Sequence, residues 1–101
     1  MVKINWTYES KFWIHYIFNY IASDNPAAAA ETVNGIYEKA QLLANFPEMG
    51  YKYQHASGKN IRIILYGHYR IAYLYRENEA EIDVLGVFHG KMEIKNYTVL
   101  A

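Results

Sequence analysis

The sequence predicts an α+β fold of order β-α-α-β-β-β, in which a small, mostly antiparallel sheet carries an αα-hairpin packed on one face. Two observations predict it. Apolar residues alternate near the amino terminus and again over residues 61–88, and they recur at helical spacing over residues 11–43. The other face of the sheet is expected to stay open to solvent or to a ligand. At 101 residues the chain is long enough for one core, so we expect a single domain over residues 1–101.

The first strand and the first helix follow each other without a linker. "VKINWTY" alternates apolar and polar residues, as a half-buried strand does. Helical spacing begins at Lys11, and Ser10 is placed to cap the first free amides. The helix is apolar on nearly every side, because Trp13, Tyr16 and Tyr20 widen its stripe. Such a helix needs cover on two sides, from the fold or from a partner.

The second helix begins in the segment "SDNPAAAA". Pro26 suits the first helical position and keeps the preceding residue out of the helical region, so Asp24 or Asn25 is the expected cap. The apolar stripe of this helix consists of Ala29, Val33, Ile36, Ala40 and Leu43. Gly35 costs about 1 kcal/mol relative to alanine inside a helix, which indicates either a close backbone approach or simple tolerance. The tight connection packs the two helices as an antiparallel hairpin.

Three strand-like runs follow, "IRIILY", "YRIAYLYR" and "EIDVLGVF", joined by "GH" and "ENEA". Connections this short predict an antiparallel meander. The segment "NFPEMGYKYQHASGKN" before them has no hydrophobic period and is expected to be a long, functional loop. The tail "HGKMEIKNYTVLA" fits either a short helix or a further strand.

The turn at Gly67 and His68 decides which face of the sheet carries each arginine. With a two-residue turn, Arg62 lies opposite Tyr73, and Arg70 projects from the other face. A three-residue turn shifts the pairing by one and brings Arg62 and Arg70 together, where they could hold one phosphate. Both registers are compatible with the sequence.

Composition argues against several classes of function. Ten basic and ten acidic residues cancel, so no global positive field draws the chain to nucleic acid. The absence of cysteine excludes disulfides and thiolate metal sites and favours a reducing, cytoplasmic location. The longest apolar run is well short of the roughly 20 residues that a membrane span needs. The histidines lack ligand spacing and no phosphate-binding loop is present, so we expect neither a metal nor a cofactor.

Four segments in this order resemble a known superfamily. They are "IASDNPAAA" at the helix turn, "LLANFPEMG" at the end of the second helix, "IRIILYGHYRIAYLY" and "VLGVFHGK". Together with the β-α-α-β-β-β order, they resemble the RelE/ParE superfamily of toxins from type II toxin–antitoxin systems. The resemblance covers residues 2 to about 92, and the "DNP" turn and "FPEMG" loop are closer to ParE.

The resemblance implies a growth-arresting toxin, of the kind linked to plasmid stabilisation, that a cognate antitoxin neutralises in a toxin–antitoxin hetero-oligomer. ParE-like members poison DNA gyrase and are inhibitors, whereas RelE-like members cut mRNA in the ribosome without a metal. The neutral charge and the ParE-like segments favour gyrase as the target. The alternatives are a RelE-type endoribonuclease and, from a different class, a non-enzymatic protein-binding module.

The candidate residues differ between these hypotheses. Candidate catalytic residues of a ribonuclease are Arg62, His89, Lys91 and Tyr97. Candidate target-binding residues are Lys52, Lys59, Arg62 and Arg70. Candidate antitoxin-binding residues are Trp13, Tyr16 and Tyr20, since a disordered antitoxin segment that folds on the toxin would cover surplus aromatic surface.

Overall fold

The structure is a computed structural model, and it describes residues 1–90. Its helices are α1 (Tyr8–Ala22) and α2 (Pro26–Gln41), followed by a 3₁₀ turn at Leu42–Ala44. Its strands are β1 (Lys3–Trp6), β2 (Tyr51–Tyr53), β3 (Ile61–Tyr66), β4 (Tyr69–Arg76) and β5 (Glu81–His89), with a 3₁₀ turn at Glu77–Glu79. The tail beyond residue 90, predicted as a helix or a strand, lies outside the described residues.

The strands of residues 1–90 form one sheet in the order β1-β5-β4-β3-β2. The β1–β5 pair is parallel, and the other three pairs are antiparallel. The helix hairpin packs on one face of this sheet. The predicted α+β class, the mostly antiparallel sheet and the position of the hairpin are therefore confirmed.

The segment predicted to be irregular contains an additional strand, β2, so the predicted strand count was wrong. Tyr51, Lys52 and Tyr53 pair with Ile63, Arg62 and Ile61 of β3. Three residues are too few to establish a period of two, and β2 lies at the sheet edge, where the chain needs little apolar alternation. Strand β2 brings Lys52 opposite Arg62, so that two candidate target-binding residues are paired.

Helix α1 begins earlier than predicted, at Tyr8, and its cap is Thr7 instead of Ser10. The Thr7 hydroxyl donates to the Val84 carbonyl at 2.6 Å and accepts from the Ser10 amide at 3.2 Å. Ser10 is buried, and its hydroxyl donates to the Thr7 carbonyl at 2.7 Å. The switch from strand to helix occurs at Thr7 because β5 fixes that residue at the end of the parallel pair.

Helix α2 begins as predicted, with Asn25 as its cap and Pro26 at the first position. The Asn25 side chain accepts from the Ala28 amide at 3.1 Å. The presence of Gly35 inside the helix is explained by the first of the two predicted reasons, a close approach to another part of the chain. A Cβ at this position would overlap the hydroxyl end of Tyr66, so Gly35 leaves room for the Tyr66 ring between α2 and β3.

The main core lies between the hairpin and the sheet. Its buried residues are Ile14, Ile17, Ile36, Leu43, Ile64, Ile71, Tyr73, Ile82, Val84 and Val87. The opposite face carries a second buried cluster of Ile61, Ile63, Ala72 and Phe88, against which Trp13 of α1 packs. The expectation that this other face stays open was therefore wrong at its centre.

Candidate functional site

An open cleft of about 740 Å³ lies at the β2 end of the sheet. The loop between β2 and β3 forms one wall, and its turn is held by His55, whose Nδ1 lies 2.7 Å from the Ser57 hydroxyl oxygen. Lys52 and Lys59 line the cleft with exposed side chains, together with Arg62. Three of the four candidate target-binding residues are thus brought together, as Lys52 and Arg62 face each other across the β2–β3 ladder.

The Arg62 guanidinium is buried and hydrogen-bonded through all three of its nitrogens, with the residue only 8% exposed. One terminal nitrogen donates to the carbonyls of Glu48 and Gly50, at 3.1 and 2.9 Å. The other donates to the Glu48 carboxylate at 3.3 Å, and Nε donates to the Asn60 side chain at 3.2 Å. These bonds hold the loop before β2 against β3.

Tyr73 lies directly opposite Arg62 and binds the same loop. Its hydroxyl donates to the Pro47 carbonyl at 2.8 Å and accepts from the Gly50 amide at 3.1 Å. Burial raises the pKa of this hydroxyl, although the bond from Gly50 and the charge of Arg62 act to lower it. The phenol is therefore neutral and serves as a structural hydrogen-bonding group.

Arg70 does not join Arg62. The turn at Gly67 and His68 has two residues, and Tyr66 pairs with Tyr69 across it. Gly67 has φ of 57°, the left-handed region that the first position of a type II′ hairpin requires. Arg70 then lies opposite Leu65 and Phe88, on the face away from Arg62. The register in which both arginines grip one phosphate is excluded.

His89 lies in a different part of the sheet from Arg62. It pairs with Tyr69 of β4. Tyr69 lies four residues before Tyr73, the residue that pairs with Arg62, and four residues of a strand span about 13 Å. The His89 ring lies edge-on to Tyr69, with centroids 5.7 Å apart, and stacks at 6.2 Å on His68. Lys91 and Tyr97, the remaining ribonuclease candidates, lie outside the described residues.

A row of exposed aromatic side chains runs along α1. Tyr8, Phe12, Tyr16 and Tyr20 are 89, 54, 53 and 74% exposed. Two of the three candidate antitoxin-binding residues, Tyr16 and Tyr20, belong to this row. Tyr8 and Phe12 were missed, although Phe12 lies four residues before Tyr16 and Tyr8 four residues before Phe12, a spacing that places them on the same ridge of a helix.

Trp13, the third antitoxin candidate, is only partly exposed, because it packs against Phe88 with centroids 6.1 Å apart. It still lines a pocket of about 260 Å³ between α1 and the sheet. Tyr16, Tyr20, Tyr69 and His89 line the same pocket. Trp13 thus contributes one wall of a pocket beside the exposed row.

Neither a metal centre nor a membrane span is found in the described part of the chain. Over residues 1–90, no three histidine, aspartate or glutamate side chains are grouped so that they could hold a metal ion. None of the helices there is long and apolar enough to cross a membrane. The polar groups that line the cleft are lysine, arginine, histidine, tyrosine, amide and carboxylate side chains.

Comparison with known proteins identifies the family. Residues 4–94 match the family described as ParE toxin of type II toxin-antitoxin system, parDE. The fold is similar to the chromosomal ParDE TA system from P. aeruginosa, with a TM-score of 0.71 and 17% identity over 88% of this chain and 96% of that chain. It is also similar to the RelBE2 toxin–antitoxin complex from Mycobacterium tuberculosis, with a TM-score of 0.57 and 19% identity over 87% and 96% of the two chains.

These structural similarities, at low identity, concern the fold, and no curated protein matches the chain in sequence. The family match extends from β1 through the whole described sheet, including the cleft, the Arg62 loop and α1. The chain therefore belongs to the ParE family of toxins of type II toxin–antitoxin systems.

Proposed function

We propose that this toxin arrests growth by poisoning DNA gyrase through protein–protein contact, and that a cognate antitoxin neutralises it in the cytoplasm. Membership of the ParE family supports this proposal. The single observation that carries the choice of target is the environment of Arg62, whose guanidinium is buried and bound by Glu48, Gly50 and Asn60.

A metal-free ribonuclease needs cations and proton-transfer groups around one phosphate. A phosphate bound by two N–H groups of Arg62 would displace at least one of its present acceptors, which are two backbone carbonyls, the Glu48 carboxylate and the Asn60 side chain. Leaving such buried carbonyls without donors costs about 1–3 kcal/mol each. His89 lies about 13 Å further along the sheet, too far to share that phosphate. This arrangement favours the inhibitor hypothesis over the ribonuclease hypothesis.

The target contact is proposed to involve the rim of the cleft. Lys52 and Lys59 are exposed there, and Arg62 acts by positioning the wall that carries them. Exposed charges at an interface rim mainly steer association and set its salt dependence. Arg70, on the opposite face, has no part in this surface.

The antitoxin is proposed to cover α1. The exposed row of Tyr8, Phe12, Tyr16 and Tyr20 presents on the order of 500 Å² of mostly apolar surface, from the typical area of an aromatic side chain. A patch of that size is typical of an interaction site on a small soluble protein. Both structurally similar proteins come from toxin–antitoxin systems, which supports a hetero-oligomer with an antitoxin.

Expression of the chain alone and together with the gene encoded beside it tests the proposal. Growth arrest that the neighbouring protein relieves is expected, and Tyr16→Ala should weaken that rescue. Tyr51→Ala is the matched control, because Tyr51 is 51% exposed on β2, far from α1. Absence of growth arrest would favour a simple binding module instead.

A further inference from the structure

A pocket walled by aromatic rings lies between α1 and the β4–β5 ladder. Its lining residues are Trp13, Tyr16, Ile17, Tyr20, Tyr69, Val87 and His89. Ile17 and Val87 are core residues and form its floor, while the five rings form its walls. At about 260 Å³ it is smaller than the roughly 300–1,000 Å³ of pockets for drug-sized ligands, so it fits a single side chain.

The rings are arranged in two perpendicular pairs on opposite sides of the pocket. On the helix side, Trp13 and Tyr16 have centroids 5.7 Å apart and an interplanar angle of 73°. On the sheet side, Tyr69 and His89 have centroids 5.7 Å apart and an angle of 88°. Aromatic rings thus line both sides of the pocket, and such rings are the groups from which cation-binding aromatic cages are built.

The phenol oxygens of the pocket can accept hydrogen bonds from a ligand. Burial, and then the neighbouring phenol of Tyr20, raise the pKa of Tyr69, so the Tyr69 hydroxyl is neutral at physiological pH. No lysine, arginine or carboxylate lines the pocket within the described residues. An aliphatic side chain would offer no donor to the phenol oxygens of Tyr16, Tyr20 and Tyr69, whereas a guanidinium offers five N–H groups and a flat face for the rings.

We propose that this aromatic pocket binds an arginine side chain of the antitoxin, with the guanidinium between the Trp13–Tyr16 and Tyr69–His89 pairs. The antitoxin as source of the arginine rests on the proposed function, whereas the preference of the pocket for a guanidinium does not. The pocket adjoins the exposed row on α1, which supports the antitoxin as the source of the arginine. Tyr16 and Tyr20 belong to both, so a segment lying along α1 would pass the pocket entrance.

The preference of the pocket for a guanidinium is tested on the purified chain without any antitoxin. The probes are N-acetyl-arginine amide and the corresponding lysine, leucine and glutamine amides at matched ionic strength, followed by NMR of the Trp13 indole and the tyrosine rings. We expect saturable shifts with the arginine probe at several-fold lower concentration than with the leucine probe. Tyr20→Ala should weaken arginine binding about two- to fivefold, the size of an exposed cation–π contact.

Tyr8→Ala is the control for this titration, because Tyr8 lies on the same helix, is 89% exposed and is outside the pocket. Leucine binding as tightly as arginine, or equal effects of Tyr20→Ala and Tyr8→Ala, would overturn the proposal. Lysine binding as tightly as arginine would overturn the assignment of arginine.

A second experiment uses the toxin with the protein encoded beside it. We expect one antitoxin arginine whose change to alanine is non-additive with Tyr20→Ala by about two- to fivefold in Kd. If the two proteins bind and no arginine is coupled to Tyr20, the pocket proposal is wrong. If they do not bind at all, the proposed function fails, and the probe titration still decides the preference of the pocket.

Discussion

Arg62 and Tyr73 lie directly opposite each other on β3 and β4, and both bind the backbone of the same loop. Arg62 donates to the carbonyls of Glu48 and Gly50, and Tyr73 donates to Pro47 and accepts from Gly50. A cation and a phenol, two groups expected in a ribonuclease site, are here used to fix residues 47–50. This pairing underlies the first two predictions.

Arg62→Ala should lower the free energy of unfolding by about 2–4 kcal/mol, because it leaves buried carbonyls without donors. Urea unfolding followed by circular dichroism measures the change. Lys59→Ala is the control, since Lys59 is exposed in the same cleft and its loss should stay within about 0.5 kcal/mol. Unchanged stability of Arg62→Ala would show that the guanidinium is not a structural clamp.

Tyr73→Phe should destabilise the protein by about 1–3 kcal/mol at neutral pH, since the Gly50 amide and the Pro47 carbonyl lose their partner. The raised pKa of Tyr73 adds a pH dependence. Its contribution is fully present below pH ~10 and is lost as pH rises through the folded-state pKa. The difference between wild type and Tyr73→Phe should therefore shrink in alkaline urea titrations. A difference that stays constant above pH ~10 would contradict this.

Asp83 should contribute an acid-dependent part of the stability. Arg76 donates to both carboxylate oxygens, at 2.9 and 3.0 Å, and Asn5 donates at 3.0 Å. Burial acts to raise the pKa of Asp83, but these bonds and the charge of Arg76 together lower it. Its contribution is present above pH ~4 and is lost as pH falls through the lowered pKa. Asp83→Asn should be less stable than wild type at pH 7 and equally stable at pH ~2, as measured by thermal unfolding.

Gly35→Ala should stabilise the protein by less than the ~1 kcal/mol expected from helix propensity, because the new methyl group forces the end of the Tyr66 side chain to move, at a cost. A double-mutant cycle isolates this cause: the cost should largely disappear in a Tyr66→Ala background. An equal change in stability in both backgrounds would mean that Tyr66 is not the obstacle.

Charge reversal at the cleft rim should weaken target inhibition. Lys52→Glu and Lys59→Glu are each expected to lower potency about two- to fivefold, the range for exposed ion pairs, with a larger effect at low salt. Lys3→Glu makes the same charge change at the opposite edge of the sheet and should have no effect. Equal effects at all three lysines would point to net charge alone.

The sequence predicted the fold well where a pattern repeats. The stripe of α2, the cap at Asn25 and the meander all follow from periodicity and from turn residues that strongly prefer one conformation. The sequence predicted local structure poorly where tertiary contacts determine it. Thr7 caps α1 because β5 holds it, and β2 is a strand because β3 pairs with it.

The site was only partly predictable for the same reason. The lysines of the cleft were found, but the partners of Arg62 come from an irregular loop that carries no pattern. The turn at Gly67 left two registers open, and only the structure placed Arg70 on the other face. The missing members of the row on α1, Tyr8 and Phe12, could have been predicted, because aromatic residues recur every four positions from Tyr8 to Tyr20.

The most direct test of the proposed target uses purified toxin with DNA gyrase, ATP and supercoiled plasmid, followed by denaturation and protease. The proposal predicts dose-dependent linear DNA from trapped gyrase–DNA complexes, abolished by an excess of antitoxin, together with intact mRNA in ribosomes treated in parallel. Cleaved mRNA with no linear DNA would contradict it and would assign the toxin to the ribonuclease class.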